Sequence, residues 1–311
     1  MTGLYDLIIV GGGPAAMGAG IYAARKKIKT LIIAGELGGQ SAVSPEVQNW
    51  IGEISLPGDN LAKKIEAHLR SYESDTLKIV TGGWVAALAA DGDKTFSLVT
   101  KDGQTFLGRT VLITSGGRRR RLEIKGADRF EHKGLTYCAS CDGPLFAGQD
   151  VAVIGGGNAG FGTAGELLAY CRTVTLLEAG PAFRAEQITI DKLAQNPNFT
   201  ALNNIELLEI KGDKFVSGLS YQKKDEAKII DLPVTGIFVE IGFIPNTEFV
   251  REILDLNQAG KIIINHQTQA TSRAGIWAAG DCTDGLYQQN NIAVGDAVKA
   301  TEDIARWLQN A

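Results

Sequence analysis

The sequence has little of what marks several large functional classes. Basic residues are in no excess: 31 Lys and Arg stand against 35 Asp and Glu, for a net charge of −4. Binding a phosphate backbone needs a concentrated basic surface, so no nucleic-acid partner is expected. No apolar run approaches the roughly 20 residues of a membrane-spanning helix, so no membrane partner is expected either. Residues 1–10 hold no basic stretch ahead of the apolar Leu7-Ile8-Ile9-Val10. No secretory leader is therefore expected, and the location reads as cytoplasmic. Cysteine is scarce, at four residues in 311, and histidine scarcer, at three. Four cysteines are too few for a structural disulfide framework, so a close pair among them reads as redox-active or metal-binding. No long linker or low-complexity tract interrupts the chain.

What is present is glycine, 38 residues of it, gathered in short runs. The length suits two domains. Apolar residues make up 44% and charged residues 21%, ordinary for a globular chain. The first unit runs from the strand-like Asp6–Val10 through Gly11-Gly12-Gly13-Pro14-Ala15-Ala16 into a helix to about Lys27, then a strand at Thr30–Ala34 ending at Gly35-Glu36. This is a strand–turn–helix–strand unit carrying G-x-G-x-x-A. Gly11 makes the tight turn, Gly13 lacks the Cβ that blocks a diphosphate, and Ala16 is small enough for helix–strand packing. The N–H groups at the helix start hold the diphosphate, and Glu36 is placed to accept from a ribose hydroxyl.

The pattern recurs 144 residues later. Asp150–Ile154 is a strand, Gly155-Gly156-Gly157-Asn158-Ala159-Gly160 is G-x-G-x-x-G, and a helix runs to about Tyr170. The next strand, Thr173–Leu177, ends at Glu178. One such motif is a weak signal; two in the right context indicate two nucleotide-binding units. Further strands are expected at Thr95–Thr100, Thr110–Thr114, Val234–Ile241 and Gly275–Ala279, with a closing helix from about Ile292 to Leu308. The fold class is α/β with two Rossmann-like units.

Two clusters lie outside the glycine turns. Cys138-Ala139-Ser140-Cys141-Asp142 is a C-x-x-C pair read as redox-active; a zinc site would need two further ligands, and no second C-x-x-C exists. The run Arg118–Arg121 is either a solvated turn or a site for an acidic partner or nucleotide phosphate. Cys171 and Cys282 read as buried small hydrophobes.

These residues together resemble the low-molecular-weight thioredoxin reductases over essentially the whole chain. The match rests on the first glycine motif, Gly38-Gly39-Gln40, Asn49, Cys138 to Asp142, the second glycine motif, Ile241-Gly242 with Pro245-Asn246, and Ala279-Gly280-Asp281. Leu135 to Phe146, Val174 to Glu178 and Gly280-Asp281-Cys282 are also similar to the flavoprotein subunit of alkyl hydroperoxide reductase. That relative has an additional N-terminal domain; this chain starts at the first strand, and the extra domain is expected to be missing.

The resemblance implies a discontinuous FAD domain, residues 1–116 and 246–311, with a pyridine-nucleotide domain, residues 117–245, inserted in it. It also implies a homodimer and domain rotation during turnover. FAD is expected at Gly11, Gly13, Pro14, Ala15, Ala16 and Glu36. Gly39, Gln40, Asn49, Gly280, Asp281 and Gln289 lie on its flavin side, and Val85 touches the adenine through its backbone. An Arg usually precedes that Gln; here it is Gln288. Cys141 approaches the flavin, Cys138 attacks a partner disulfide, and Asp142 supplies the proton. A helix-capping role for Asp142 suits the same position.

The second nucleotide set is Gly155, Gly157, Asn158, Gly160, Glu178, Arg184 and Gly242. NADPH-using relatives carry His-Arg-Arg-x-x-x-Arg where this chain has Glu178-Ala179-Gly180-Pro181-Ala182-Phe183-Arg184. The adjacent arginines are replaced by Ala179 and Gly180. Glu178 repels a 2′-phosphate and accepts from a free 2′-OH, so NADH is expected over NADPH. Gly162-Thr163 stands where the family has Glu-Glu, which keeps open a donor other than a pyridine nucleotide, such as ferredoxin. The expected electron acceptor is thioredoxin or a thioredoxin-like protein, with a peroxiredoxin as the alternative. A flavin-binding redox sensor without turnover is a third reading. Related ferredoxin–NADP reductases lack the C-x-x-C, which argues against that activity.

Overall fold

In the computed structural model, which describes residues 3–44, 47–90 and 95–310, the first apolar run forms β1 (Leu4–Val10). Leu7, Ile8 and Ile9 are fully buried, as befits a parallel strand covered on both faces. The glycine turn leads into α1 (Pro14–Arg25). Pro14 suits the first helical position, where no N–H partner is required. The small residues of α1 let it lie close to its neighbours: a Cβ on Gly20 would come within 2.7 Å of both Ile32 and Leu69. β2 (Thr30–Ala34) then pairs parallel with β1, Leu7 opposite Thr30 and Val10 opposite Ile33.

Next come α2 (Gly58–Arg70), β3 (Leu77–Thr81), β4 (Val85–Ala90), β5 (Phe96–Thr100) and β6 (Thr105–Ile113). The sheet order is β3-β2-β1-β6-β5-β4. β3, β2, β1 and β6 are parallel; β5 and β4 join antiparallel.

The chain passes through β7 (Gly117–Arg119) into the second unit, Arg119–Phe243; the first comprises Met1–Arg118 and Ile244–Ala311. The second unit holds α3 (Ala127–Phe130), β8 (Leu135–Thr136) and α4 (Ala139–Asp142). Its glycine turn lies between β9 (Asp150–Ile154) and α5 (Asn158–Leu167). β10 (Thr173–Leu177), α6 (Gln187–Ala194) and β11 (Phe199–Leu202) follow. β12 (Ile205–Gly212), β13 (Val216–Lys223) and β14 (Ile229–Leu232) form a separate antiparallel sheet. β15 (Gly236–Val239) completes a parallel sheet of order β11-β10-β9-β15-β8.

After β16 (Phe243–Pro245), β17 (Ile276–Ala278) returns to the first sheet and pairs parallel with the far half of β6. α7 (Asn290–Asn310) closes the chain and buries Ala293, Ala297, Ala300, Thr301 and Ile304. That spacing is one apolar stripe of a helix, and it packs with α1 and the β1 face in one core. The molecule is thus two Rossmann-like α/β units, the second inserted in the sequence of the first. Among the described residues no helix is long and apolar enough to cross a membrane.

Candidate functional site

Ligands of such sheets bind beyond the carboxyl ends of the parallel strands, and in the first unit a cavity of about 810 Å³ opens there. That is at the upper end of the roughly 300–1,000 Å³ of small-molecule sites. Of the residues expected to hold FAD, it is lined by Gly11, Gly13, Pro14, Ala15, Glu36, Gly39, Gln40, Val85, Gly280 and Asp281. Gly11 has φ +130°, and a Cβ there would sit 2.3 Å from the Thr114 carbonyl oxygen. Around Gly13 the nearest atom to such a Cβ is 3.9 Å away. Its bareness therefore keeps the cavity open rather than serving packing. α1 starts with no side-chain cap and no acid in its first turn, leaving N–H donors for an anion.

Ala16, Asn49 and Gln289 do not line the cavity. Ala16 is fully buried in the core. Asn49 and Gln289 meet each other: Asn49 Nδ2 donates to Gln289 Oε1 at 3.0 Å. Nearby in sequence, Ser41 Oγ donates to Asn290 Oδ1 at 2.8 Å. Contacts across about 240 residues of chain thus assemble this end of the site. Sequence reading missed Ser41, Thr114, Ser115 and Asn290, which also line the cavity, as does Asn246 of the Pro245-Asn246 element.

The arginine run is not one solvated turn. Arg118 lines the cavity and donates to Asn246 Oδ1 at 2.7 Å. Arg119 pairs with Glu240 at 3.3 Å, and Arg121 faces Glu131 at 3.8 Å.

In the second unit Cys138 and Cys141 form a disulfide with Cα atoms 5.3 Å apart. Cys138 is the N-cap of α4, and both residues are partly exposed. Thr136 Oγ1 donates to Asp142 Oδ2, while Asp142 Oδ1 is buried with no hydrogen-bond partner. Burial pushes the Asp142 carboxyl above its ordinary value, against the smaller opposing pull of Thr136 and His132. An oxygen without a donor and a desolvated carboxyl both favour the protonated acid. Cys171 and Cys282 are buried and free, each thiol pushed up to about 11, chiefly by burial. Neither is placed for thiolate chemistry. Among the described residues no cluster of three or more His, Cys, Asp or Glu is arranged to hold a metal ion.

The second glycine turn repeats the first closely. Gly155 has φ +120°, and a Cβ would sit 2.3 Å from the Glu240 carbonyl oxygen. Gly157 faces open space and caps α5, which has no side-chain cap and no acid in its first turn. A Cβ on Gly160 would lie 1.8 Å from the Gly155 oxygen. Asn158 Oδ1 accepts from the Glu186 N–H at 2.9 Å, so its side chain steadies the start of α6. Gly242, at φ +123°, lies against the Arg120 side chain.

Glu178 is 5% exposed and clasps its own loop. Gly156 N–H donates to Oε2 at 2.5 Å and Gly180 N–H to Oε1 at 2.7 Å. The Arg184 guanidinium lies 3.6 Å from Oε2. Each carboxylate oxygen keeps capacity for a further donor. Sequence reading missed Glu240, which follows β15. It is held by Thr163 Oγ1 at 2.9 Å and by Arg119, and burial raises its carboxyl.

Comparison with known proteins agrees with this architecture. The family model described as pyridine nucleotide-disulphide oxidoreductase matches residues 5–297. The NADH dehydrogenase of Bacillus subtilis (strain 168) is 37% identical over 296 residues, which is 95% of this chain and 57% of the relative. The F component of alkyl hydroperoxide reductase from Escherichia coli (strain K12) is 37% identical over 298 residues, 96% of this chain and 57% of the relative. The chain thus spans 57% of the length of these curated relatives. The crystal structure of thioredoxin reductase from Streptococcus pyogenes MGAS5005 superposes with a TM-score of 0.93 at 29% identity, over 99% of both chains.

Proposed function

Because the chain belongs to the pyridine nucleotide-disulphide oxidoreductase family, we propose that it is an FAD-dependent protein-disulfide reductase. It draws electrons from NADH and delivers them through Cys138 and Cys141 to thioredoxin or a thioredoxin-like protein. The observation that carries this reading is the Cys138–Cys141 disulfide adjoining Asp142, a partly buried carboxyl raised above its ordinary value with its Oδ1 unpartnered.

The cavity of the first unit suits FAD. It offers an uncapped helix start for the diphosphate, a bare Gly13, and an exposed Glu36 for the adenosine ribose. Gly39, Gln40 and Asp281, which line the cavity, are assigned to the ribityl and flavin end; Asn49 and Gln289, bonded to each other off the cavity wall, would have to part to reach the flavin. Bound in that cavity, FAD would supply the two-electron chemistry that links a nicotinamide hydride to reduction of the disulfide. The second unit is assigned to NADH, with the diphosphate at residues 155–160 and the ribose hydroxyls at Glu178.

The chain's own groups complete the exchange. In the reduced dithiol, the Cys138 thiolate attacks one sulfur of the partner disulfide, forming a mixed disulfide and releasing the partner's other sulfur as a thiolate. Asp142 holds the proton that neutralises a departing thiolate. The Cys141 thiolate then attacks Cys138 Sγ. The Cys138–Cys141 bond re-forms, and the partner leaves as a dithiol, reduced by two electrons. The protein acts as a homodimer.

Asp142-Gly143-Pro144-Leu145-Phe146 after the pair favours a second reading, as electron donor to a peroxiredoxin system. Anaerobic titration of the FAD-loaded protein with NADH, NADPH and reduced ferredoxin tests the donor. Flavin bleaching by stoichiometric NADH is expected; bleaching by ferredoxin alone overturns the NADH assignment. Insulin-disulfide reduction with added thioredoxin, against peroxide consumption with added peroxiredoxin, separates the two acceptors.

A further inference from the structure

We infer that the indole of Trp84 is the seat of the adenine ring in the first-unit cavity, a wall that the base of FAD stacks against. This rests on the FAD reading above and extends it to a side chain that no glycine motif announces. The direction follows from the cavity. The glycine turn and uncapped start of α1 take the diphosphate, and Glu36 at the end of β2 takes the adenosine ribose. The base must lie beyond that ribose, and Gly35, Trp84, Val85 and Lys101 line the cavity there together with Glu36.

Three observations single out Trp84. Its side chain is 54% exposed, although tryptophan is highly buried on average. A Cβ on Gly35 would come within 2.1–2.6 Å of three indole carbons. The ring therefore lies over the Gly35 backbone, and only glycine leaves it room. The backbone on both sides is pinned: the Lys101 N–H donates to the Trp84 carbonyl at 2.7 Å and the Gly83 N–H to the Ala34 carbonyl at 3.1 Å. One side of the indole is thus backed by protein on a fixed support. Lys101 Nζ stands over the ring, 6.0 Å from its centroid, at the outer limit of a cation–π contact; its long, flexible side chain can swing aside as a base stacks. A rigid aromatic surface with an apolar neighbour, Val85, suits a flat heterocycle. Stacking of this kind favours any base and is strong enough to matter, since removing the aromatic partner costs roughly ten- to a hundredfold in affinity.

The test uses the full-length chain stripped of flavin and titrated with ADP, which carries the adenosine and diphosphate but no flavin, and then with FAD. ADP is expected to quench tryptophan fluorescence. Trp84→Phe abolishes most of that quench while keeping ADP affinity within about threefold. Trp84→Ala weakens ADP and FAD binding by roughly ten- to a hundredfold and speeds FAD release on dilution; saturating FAD restores kcat. Full ADP quenching in Trp84→Phe overturns the seat, and this variant decides the matter if the Ala variant does not fold. So do Trp84→Ala affinities within twofold of the parent, or a loss of kcat that saturating FAD does not restore. A parent chain that binds ADP but not FAD overturns the cofactor reading instead, and the two failures are told apart.

Discussion

The two glycine turns are the same device built twice and used on different terms. At Gly11 and Gly155 the backbone takes φ +130° and +120°, and at each a Cβ would sit 2.3 Å from a carbonyl oxygen on a neighbouring strand end. Both helices start without a side-chain cap. The acids that follow differ. Glu36 is exposed and lines a cavity, whereas Glu178 is buried and binds the backbone of its own turn and loop. The third small residue differs too: Ala16 carries a methyl group, but Gly160 has no room for one. A turn can therefore be fixed by sterics alone, while the chemistry it offers is set by where the next acid points.

Disabling the chemistry of one unit leaves that of the other to be read alone. Cys138→Ser is expected to cut disulfide reduction by on the order of 10³-fold or more, while NADH still bleaches the flavin. Stopped-flow absorbance beside an insulin-reduction assay checks this, and loss of flavin bleaching as well would tie the two activities together.

Asp142→Asn comes next, at on the order of 10²-fold in the rate of disulfide reduction. The raised Asp142 carboxyl makes the parent's rate fall as pH rises through its folded-state value, and the Asn variant lacks that limb. Stability follows the same sign. The Asp142 contribution is complete below its unfolded value, about 4, and is lost as pH rises through the raised folded value. Denaturant midpoints of parent and variant should therefore differ more at neutral pH than at pH about 4, with the variant gaining on the parent.

Gly160→Ala forces a methyl group to 1.8 Å from the Gly155 oxygen and should destabilise the second unit by about 3 kcal/mol. Ala16→Gly, at the matching position of the first, should cost about 1 kcal/mol. Two resolved thermal transitions, moving separately, would display the contrast.

The smallest effect expected is on nucleotide choice. Ala179→Arg should shift the NADH-to-NADPH ratio of kcat/KM by roughly tenfold toward NADPH, less than a full exchange because Glu178 stays fixed by Gly156 and Gly180. An unchanged ratio would mean that this loop does not read the ribose.

The strands beside the glycine turns were legible because continuous apolar runs bounded by glycine are local signals: β2, β9 and β10 span the residues the pattern assigns. The closing helix was legible too, although it begins at Asn290, two residues before its apolar stripe becomes periodic. α2 and the β12–β14 sheet went unread. α2 carries a plain helical stripe in Leu61, Ala62, Ile65 and Leu69, a signal that was there to be read. β12 and β14 are largely half-exposed, so their alternation is weak, and only β13 between them is mostly buried. In the site, motif residues were read from spacing. Ser41 with Asn290, Arg118 with Asn246, and Glu240 with Thr163 arise from contacts 77 to 249 residues apart, which no local pattern encodes. The bonds of the Glu178 carboxylate to Gly156 and Gly180 depend on how the side chain folds back on its own turn, which spacing does not encode.

The two buried thiols give the protein a built-in silence. With Cys171 and Cys282 buried and pushed up to about 11, an alkylating reagent at neutral pH finds accessible sulfur at residues 138 and 141 once their disulfide is reduced. The native chain, with no cysteine removed, can therefore serve as a two-site probe. The labels it takes up after each reductant count directly how many electrons that reductant delivered to the disulfide.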